Sequence, residues 1–257
     1  MLISKQPEVR LPKTKISDPT QTRGLRKQYE DALIGLFHRF KIRLNLGVSM
    51  NHQLNYDVTM DIRRFNDALE VASNNTIYVD APGIVDKHIR LGYKAGKQRA
   101  ISNPRLIQTR LVISPFMSRN DELAVTALKT RNLSLITNLT EETKTRLLNI
   151  MVDSIRDGTG SEETARLMTE EIDNLTRTRA RTITRTEISY AYNTAISQTY
   201  RDAGIEQWQW LAALGTACCE ECTENHGEIF EWSDPKPPLH PNCLCTIYPI
   251  VDKPFTP

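Results

Sequence analysis

Apolar residues recur at spacings of three and four along most of the chain, and the rhythm shortens to alternation only after Gly204. Leu25, Tyr29, Leu33, Leu36, Phe37 and Phe40 predict a helix over Leu25 to Leu44, with Arg26, Lys27, Arg39, Lys41 and Arg43 on its other face. Ile62, Phe65, Leu69 and Ala72 repeat the pattern from Met60 to Ala72. Pro82 suits a first helical turn, where its missing N–H costs nothing. A helix is therefore expected from there through Ile84, His88, Leu91 and Ala95, stopping at Asn103-Pro104. An apolar helix is expected from Asp121 to Asn138, and a separate one from Thr140-Glu141-Glu142 through Leu147 and Ile150 to Ile155. Asp157-Gly158-Thr159-Gly160 reads as a break. Ser161 then offers an N-cap hydroxyl, with Glu162 and Glu163 in the first turn and Ala165, Met168 and Ile172 on the buried side. Leu175 to Ala203 is the longest helical candidate, and Gly204 ends it.

Three short strands are expected beyond that glycine: Glu206 to Ala212 around Trp208 and Trp210, Glu228 to Trp232, and the β-branched run Cys245 to Val251. The two tryptophans read as strand core. Residues 1–22, with Pro7, Pro12 and Pro19 and no lasting periodicity, read as an extended arm that gains order only by lying on something. The expected architecture is a mainly α N-terminal helical region followed by a small α+β C-terminal domain. Its divisions are an arm at 1–22, a helical region at 23–160 and the C-terminal domain at 161–257.

Composition changes this picture little. With 257 residues, 39% apolar and 25% charged, the chain can bury a core and does not resemble a disordered one. No apolar run approaches the roughly 18 residues that cross a bilayer, so no membrane partner is expected. The formal charge of +2 conceals segregation: Ile84 to Arg119 is basic, whereas Glu141 to Asp173 and Glu220 to Asp234 are acid-rich. Lys87, Arg90, Lys94, Lys97 and Arg99 on one predicted helix, and Arg177, Arg179, Arg181 and Arg185 on another, are candidate contacts to the phosphates of double-stranded DNA. A solvated helix face explains the same residues without a ligand. Gly-rich phosphate loops, Ser/His/Asp arrangements and paired carboxylates in a catalytic setting are not found.

The five cysteines do change it, because all lie between Cys218 and Cys245. A disulfide framework spreads through a fold; a tight cluster points to a metal in a reducing compartment. Cys219-x-x-Cys222 places two thiolates on one turn, and His240-x-x-Cys243 adds a nitrogen and a third sulfur, enough for a tetrahedron around Zn2+. Cys245 stands one residue from Cys243 and spacing alone does not choose between them, while His226 is a further candidate. Four protein ligands leave no open position, so the expected zinc is a structural staple for a segment with few apolar residues of its own.

Taken in order, Thr184-Arg185-Thr186-Glu187, Ala191, Asn193, Ala195, Ala203-Gly204, Trp208-x-Trp210, Cys219-x-x-Cys222, His226-Gly227 and Pro238-Leu239-His240-Pro241-Asn242-Cys243-x-Cys245 resemble the C-terminal domain of the phage minor head, or head morphogenesis, family similar to the F protein of phage Mu. Leu244 departs from it, since the family usually has Arg between the last two cysteines. The resemblance covers roughly Ser161 to Val251. It implies a low-copy, non-enzymatic virion component at the portal vertex or capsid interior, present in the host cytoplasm during assembly. Its implied partners are the portal protein, capsid or scaffold proteins and packaged DNA. Two other readings compete: a metal-dependent nuclease with His226, Asn242 and His240 around a catalytic ion, and a non-specific DNA-binding module.

Overall fold

A computed structural model describes residues 17–44, 58–108, 113–215 and 218–251, with the side chains of 58–61 excepted. Most of the expected arm, 1–16, and the stretch 252–257 lie outside the described residues. The elements are α1 (Arg23–Leu44), α2 (Val58–Asn74), α3 (Ile77–Ile101), α4 (Pro104–Gln108), α5 (Arg119–Asp157), α6 (Ser161–Asp202), β1 (Gln207–Leu211), α7 (Glu220–Glu224), β2 (Ile229–Glu231) and β3 (Thr246–Pro249). A mainly helical chain with a small three-stranded sheet after Gly204 is therefore as expected. The chain divides into two compact units.

One unit comprises 27–87 and 129–184, and among its described residues the regular elements are all helices. In α1, Tyr29, Leu33, Leu36, Phe37, Phe40 and Leu44 form one buried face, as their spacing requires. Each such side chain contributes roughly 1.5–3 kcal/mol by leaving water. Polar links fix the register of the helices: the Tyr29 hydroxyl donates to Asn132 Oδ1 at 2.8 Å, Lys41 pairs with Asp173 at 2.7 Å, and the buried Lys144 pairs with Glu70.

Three helix boundaries differ from expectation here. Thr140 does not open a helix; α5 runs unbroken through it for 39 residues. The Thr140 and Thr143 hydroxyls donate back to the carbonyls of Ile136 and Leu139, four residues earlier, so they are buried inside the helix and do not cap it. Likewise α6 is one helix of 42 residues, since nothing between Ile172 and Leu175 breaks it. Pro82 also lies inside α3, which starts at Ile77. The proline forfeits one helical hydrogen bond, and the packing of Ile77, Ala81 and Val85 carries the turn through it.

The other unit comprises 1–26, 88–128 and 185–257. Its sheet is antiparallel throughout, in the order β2-β1-β3, with Trp208 opposite Phe230 and Trp210 opposite Ile247. Trp208 and Trp210 are fully buried, and Trp208 stacks on Phe230 with ring centroids 4.8 Å apart. They are strand core, as the alternation suggested. The last turn of α6 closes on Gly204, whose φ of +71° lets the Ile205 N–H reach the Tyr200 carbonyl at 3.0 Å and its own N–H reach Arg201 at 2.9 Å.

Within this unit α6 lies against α3 at very close range. A Cβ on Gly96 would stand 2.2 Å from the Tyr192 carbonyl oxygen, and one on Gly92, a turn earlier, 3.2 Å from Ala191 and Ile188. Only glycine allows that approach. Within 17–22, Thr20 and Thr22 are buried, and Asp18 pairs with Arg26 at 2.8 Å.

Candidate metal centre

The Cys219 knuckle is shaped by α7. Cys219 is its N-cap, in an extended conformation, and its Sγ accepts the Cys222 N–H at 3.4 Å. One turn of helix thus folds the Cys222 sulfur back beside that of Cys219. The second knuckle is a reverse turn closed by the Cys243 N–H on the His240 carbonyl at 3.2 Å. Pro241 and Asn242 occupy its corner, and Asn242 takes a φ of +65°, a left-handed conformation that asparagine tolerates better than most residues.

α6 grips this turn. The Asn242 N–H donates to Thr186 Oγ1 at 3.0 Å, Asn193 Nδ2 donates to the Cys245 carbonyl at 3.0 Å, and Asn193 Oδ1 accepts the Thr246 hydroxyl at 2.8 Å. Thr186 and Asn193 stood in the family-like motif without a role; their positioning function is visible only in three dimensions. Leu244 is buried and lines the same cavity.

These elements bring the expected ligands together. Cys219, Cys222 and His240 form one compact set of donor atoms, and Cys222, Cys243 and Cys245 another, with Cys222 shared. The Cys219 and Cys222 sulfurs lie 3.2 and 3.5 Å from His240 Nε2, and the Cys222 and Cys243 sulfurs are 3.8 Å apart. The cluster lines a cavity of about 220 Å3 together with Ser17, Arg185, Gly215 and Asn242. The thiols are electrostatically distinct. Cys243 is held well below the ordinary thiol range because the Cys245 thiol donates to it, with help from the backbone N–H groups of Cys245 and Leu239 against the opposing effect of burial. Cys245 is pushed up because its proton is committed to Cys243, and burial pushes Cys222 up.

His226 does not join this cluster. Its Nδ1 accepts the Ala212 N–H at 3.1 Å beside β1, and burial lowers its pKa. The geometry therefore does not bring His226 to the His240 donor set that the nuclease reading would require.

The basic residues are dispersed. Lys97 is buried on Asp121 at 2.5 Å and Arg90 pairs with Glu122 at 2.8 Å, while Lys94 and Arg99 are exposed in the same unit. Arg185 is half-buried at the Cys/His cavity. Lys87, Arg177, Arg179 and Arg181 are exposed in the other unit, where Arg179 pairs with Glu142 at 3.1 Å. Sequence spacing showed the charges but not the carboxylates that packing sets against them.

The family model described as Phage Mu protein F like protein matches residues 145–248. The phage Mu F-like resemblance carried by the motifs is thereby borne out. The matched span runs from within α5 through α6 and both knuckles to Tyr248 in β3. A curated relative from Haemophilus influenzae, described as an uncharacterized protein, is 26% identical over 153 residues, 56% of this chain and 34% of its own length. The chain thus spans about a third of the length of the curated relative it matches. No solved structure matches. Among the described residues, no helix is long and apolar enough to cross a membrane.

Proposed function

We propose that this chain is a minor head protein of a DNA phage, a low-copy virion component that docks on the portal vertex or inner capsid and assists procapsid assembly and the packaging or delivery of DNA. The observation that carries the reading is the phage Mu F-like match over 145–248, which includes α6, the sheet and every Cys and His of the cluster. The architecture supports an assembly role without chemistry of its own. The cluster's donors lie close to one another, and α6 holds the second knuckle by backbone and amide contacts suited to rigidity. The acid-rich and basic stretches suit docking to a larger charged surface, where complementarity sets orientation and encounter rate.

Co-expression with the tagged portal protein of the same phage tests the reading. The chain should co-purify with portal assemblies, and phage lacking it should give aberrant or empty heads. Normal heads in its absence, together with no retention on portal, would sink the proposal.

A further inference from the structure

We propose that Cys219, Cys222, His240 and Cys243 bind one Zn2+ ion, and that Cys245 stays outside the coordination shell.

The first argument is metric. Zinc bonds of about 2.3 Å to sulfur and about 2.0–2.1 Å to nitrogen, at tetrahedral angles, give S···S edges near 3.8 Å and S···N edges near 3.5 Å. The Cys222–Cys243 edge is 3.8 Å and the Cys222–His240 edge 3.5 Å, with Cys219–His240 a little tighter at 3.2 Å.

The second argument is the histidine's orientation. His240 Nδ1 lies 2.9 Å from the Pro241 carbonyl oxygen, which only accepts, so in the neutral ring the proton sits on Nδ1. The Nε2 lone pair then faces two sulfurs. A backbone carbonyl fixing one ring nitrogen so that the other is presented as a donor is the arrangement found around metal-bound histidines.

The third argument separates Cys245 from Cys243, which spacing left open. The Cys245 sulfur accepts the Ala213 N–H at 3.5 Å, and its carbonyl is tied to Asn193 immediately before β3 begins at Thr246. Its sulfur lies within 4.8 Å of those of Cys222 and Cys243, in a donor set that does not include Cys219 and His240. Cys243, in contrast, ends the turn that carries His240, and its sulfur already stands 3.8 Å from that of Cys222; it lies beyond 4.8 Å from at least one of Cys219 and His240, so closing the shell around the ion draws this turn inward. Three thiolates and one imidazole around Zn2+ leave a net charge of −1, and Arg185 on the wall of the same cavity supplies the opposite sign. With four protein ligands the shell is closed, and the ion joins two knuckles that lie about twenty residues apart in sequence.

The full chain, purified without chelator, should carry about one zinc per molecule. X-ray absorption at the zinc edge should fit three sulfurs and one nitrogen. Cobalt exchanged for zinc should give the visible bands of a tetrahedral site with thiolate charge transfer. Cys245→Ser should keep full zinc stoichiometry and the same absorption spectrum, whereas Cys243→Ser and His240→Ala should lose the ion or hold it at least tenfold more weakly. Loss of zinc from Cys245→Ser equal to that from Cys243→Ser would overturn the assignment. So would a four-sulfur shell or a metal-free native chain. Where Cys243→Ser or His240→Ala does not fold, Cys245→Ser still decides: a shell that keeps three sulfurs and one nitrogen leaves Cys245 outside it, and a shell of two sulfurs overturns the assignment. None of these outcomes bears on portal binding, so this assignment and the assembly role stand or fall separately.

Discussion

The Asp121 carboxylate is a buried charge away from the cluster, and its removal has a definite expected cost. Asp121 and Lys97 side chains are 1% and 8% exposed. Asp121 also accepts the Tyr93 hydroxyl at 2.7 Å and the Ser118 N–H at 2.7 Å, while its own N–H donates back to the Ser118 hydroxyl. It thus closes a capping box at the start of α5 and neutralises a lysine of α3. Asp121→Ala leaves that ammonium buried without a counter-charge, which costs about 3–5 kcal/mol, the lost cap placing it toward the upper end. For a unit of this size the midpoint should fall by on the order of 10 °C. Tryptophan fluorescence in urea is the suitable assay, because Trp208, Trp210 and Trp232 all lie in the same unit as Asp121.

Burial alone would raise the Asp121 pKa, but the hydrogen bonds from Lys97, Ser118 and Tyr93 outweigh it and the net shift is downward from 3.8. A carboxylate depressed in the folded state stabilises fully above its unfolded pKa and loses that contribution as the pH falls through the folded value. The wild type should therefore lose this contribution below about pH 4, and Asp121→Ala should lack that part of the acid limb. Pairing Asp121→Asn with Lys97→Met should recover at least about 2 kcal/mol over Asp121→Asn alone, since the methionine removes the buried ammonium that the single variant leaves without a counter-charge. A cost below about 1 kcal/mol for Asp121→Ala, or a double variant no better than the single one, would refute the account.

Three further substitutions test the architecture by the same assay or by circular dichroism. Gly96→Ala should cost at least about 1–3 kcal/mol, because its Cβ would meet Tyr192 backbone that cannot move aside; an unchanged midpoint would mean α3 and α6 lie further apart. Asn193→Ala strands the Thr246 hydroxyl and the Cys245 carbonyl in the interior and should cost about 2–3 kcal/mol, with thermal unfolding as the check. Thr140→Val should be nearly neutral by helical ellipticity and midpoint, within about 0.5–1 kcal/mol, because the hydroxyl only shares a carbonyl already bonded within α5. A loss of about 2 kcal/mol would restore it as a helix cap.

Periodicity made the helices legible because their buried faces are continuous, and alternation made the strands legible because Trp208 and Trp210 occupy one face of β1. The junctions were harder to read. Thr140 has the residue type of an N-cap, yet in a buried helix interior its hydroxyl turns back on the preceding turn, and local sequence does not distinguish the two. Pro82 suggested a start for the same reason: its cost inside a helix is offset by packing that only the fold supplies. At the candidate metal centre the ligand types and spacing were readable, because Cys-x-x-Cys and His-x-x-Cys are local turns. What was not readable comes from distant residues: Thr186 and Asn193 on α6, and the Asp121 and Glu122 carboxylates that occupy Lys97 and Arg90.

The interleaved make-up of the unit carrying the cluster sets an order of events during synthesis. Its pieces at 88–128 and 185–257 are separated by 129–184, which belongs to the other unit. The seat for Tyr192 at Gly96 is therefore translated well before the helix that fills it, and the cluster forms only after both. At roughly 5–20 residues per second, the Cys219 and Cys222 thiols leave the ribosome about one to four seconds before Cys243 follows. During that interval the second knuckle is not yet present, so the Cys/His cluster is among the last features of the unit to be completed. Until then, the close seat between Gly96 and Tyr192 is a contact already available to this part of α6.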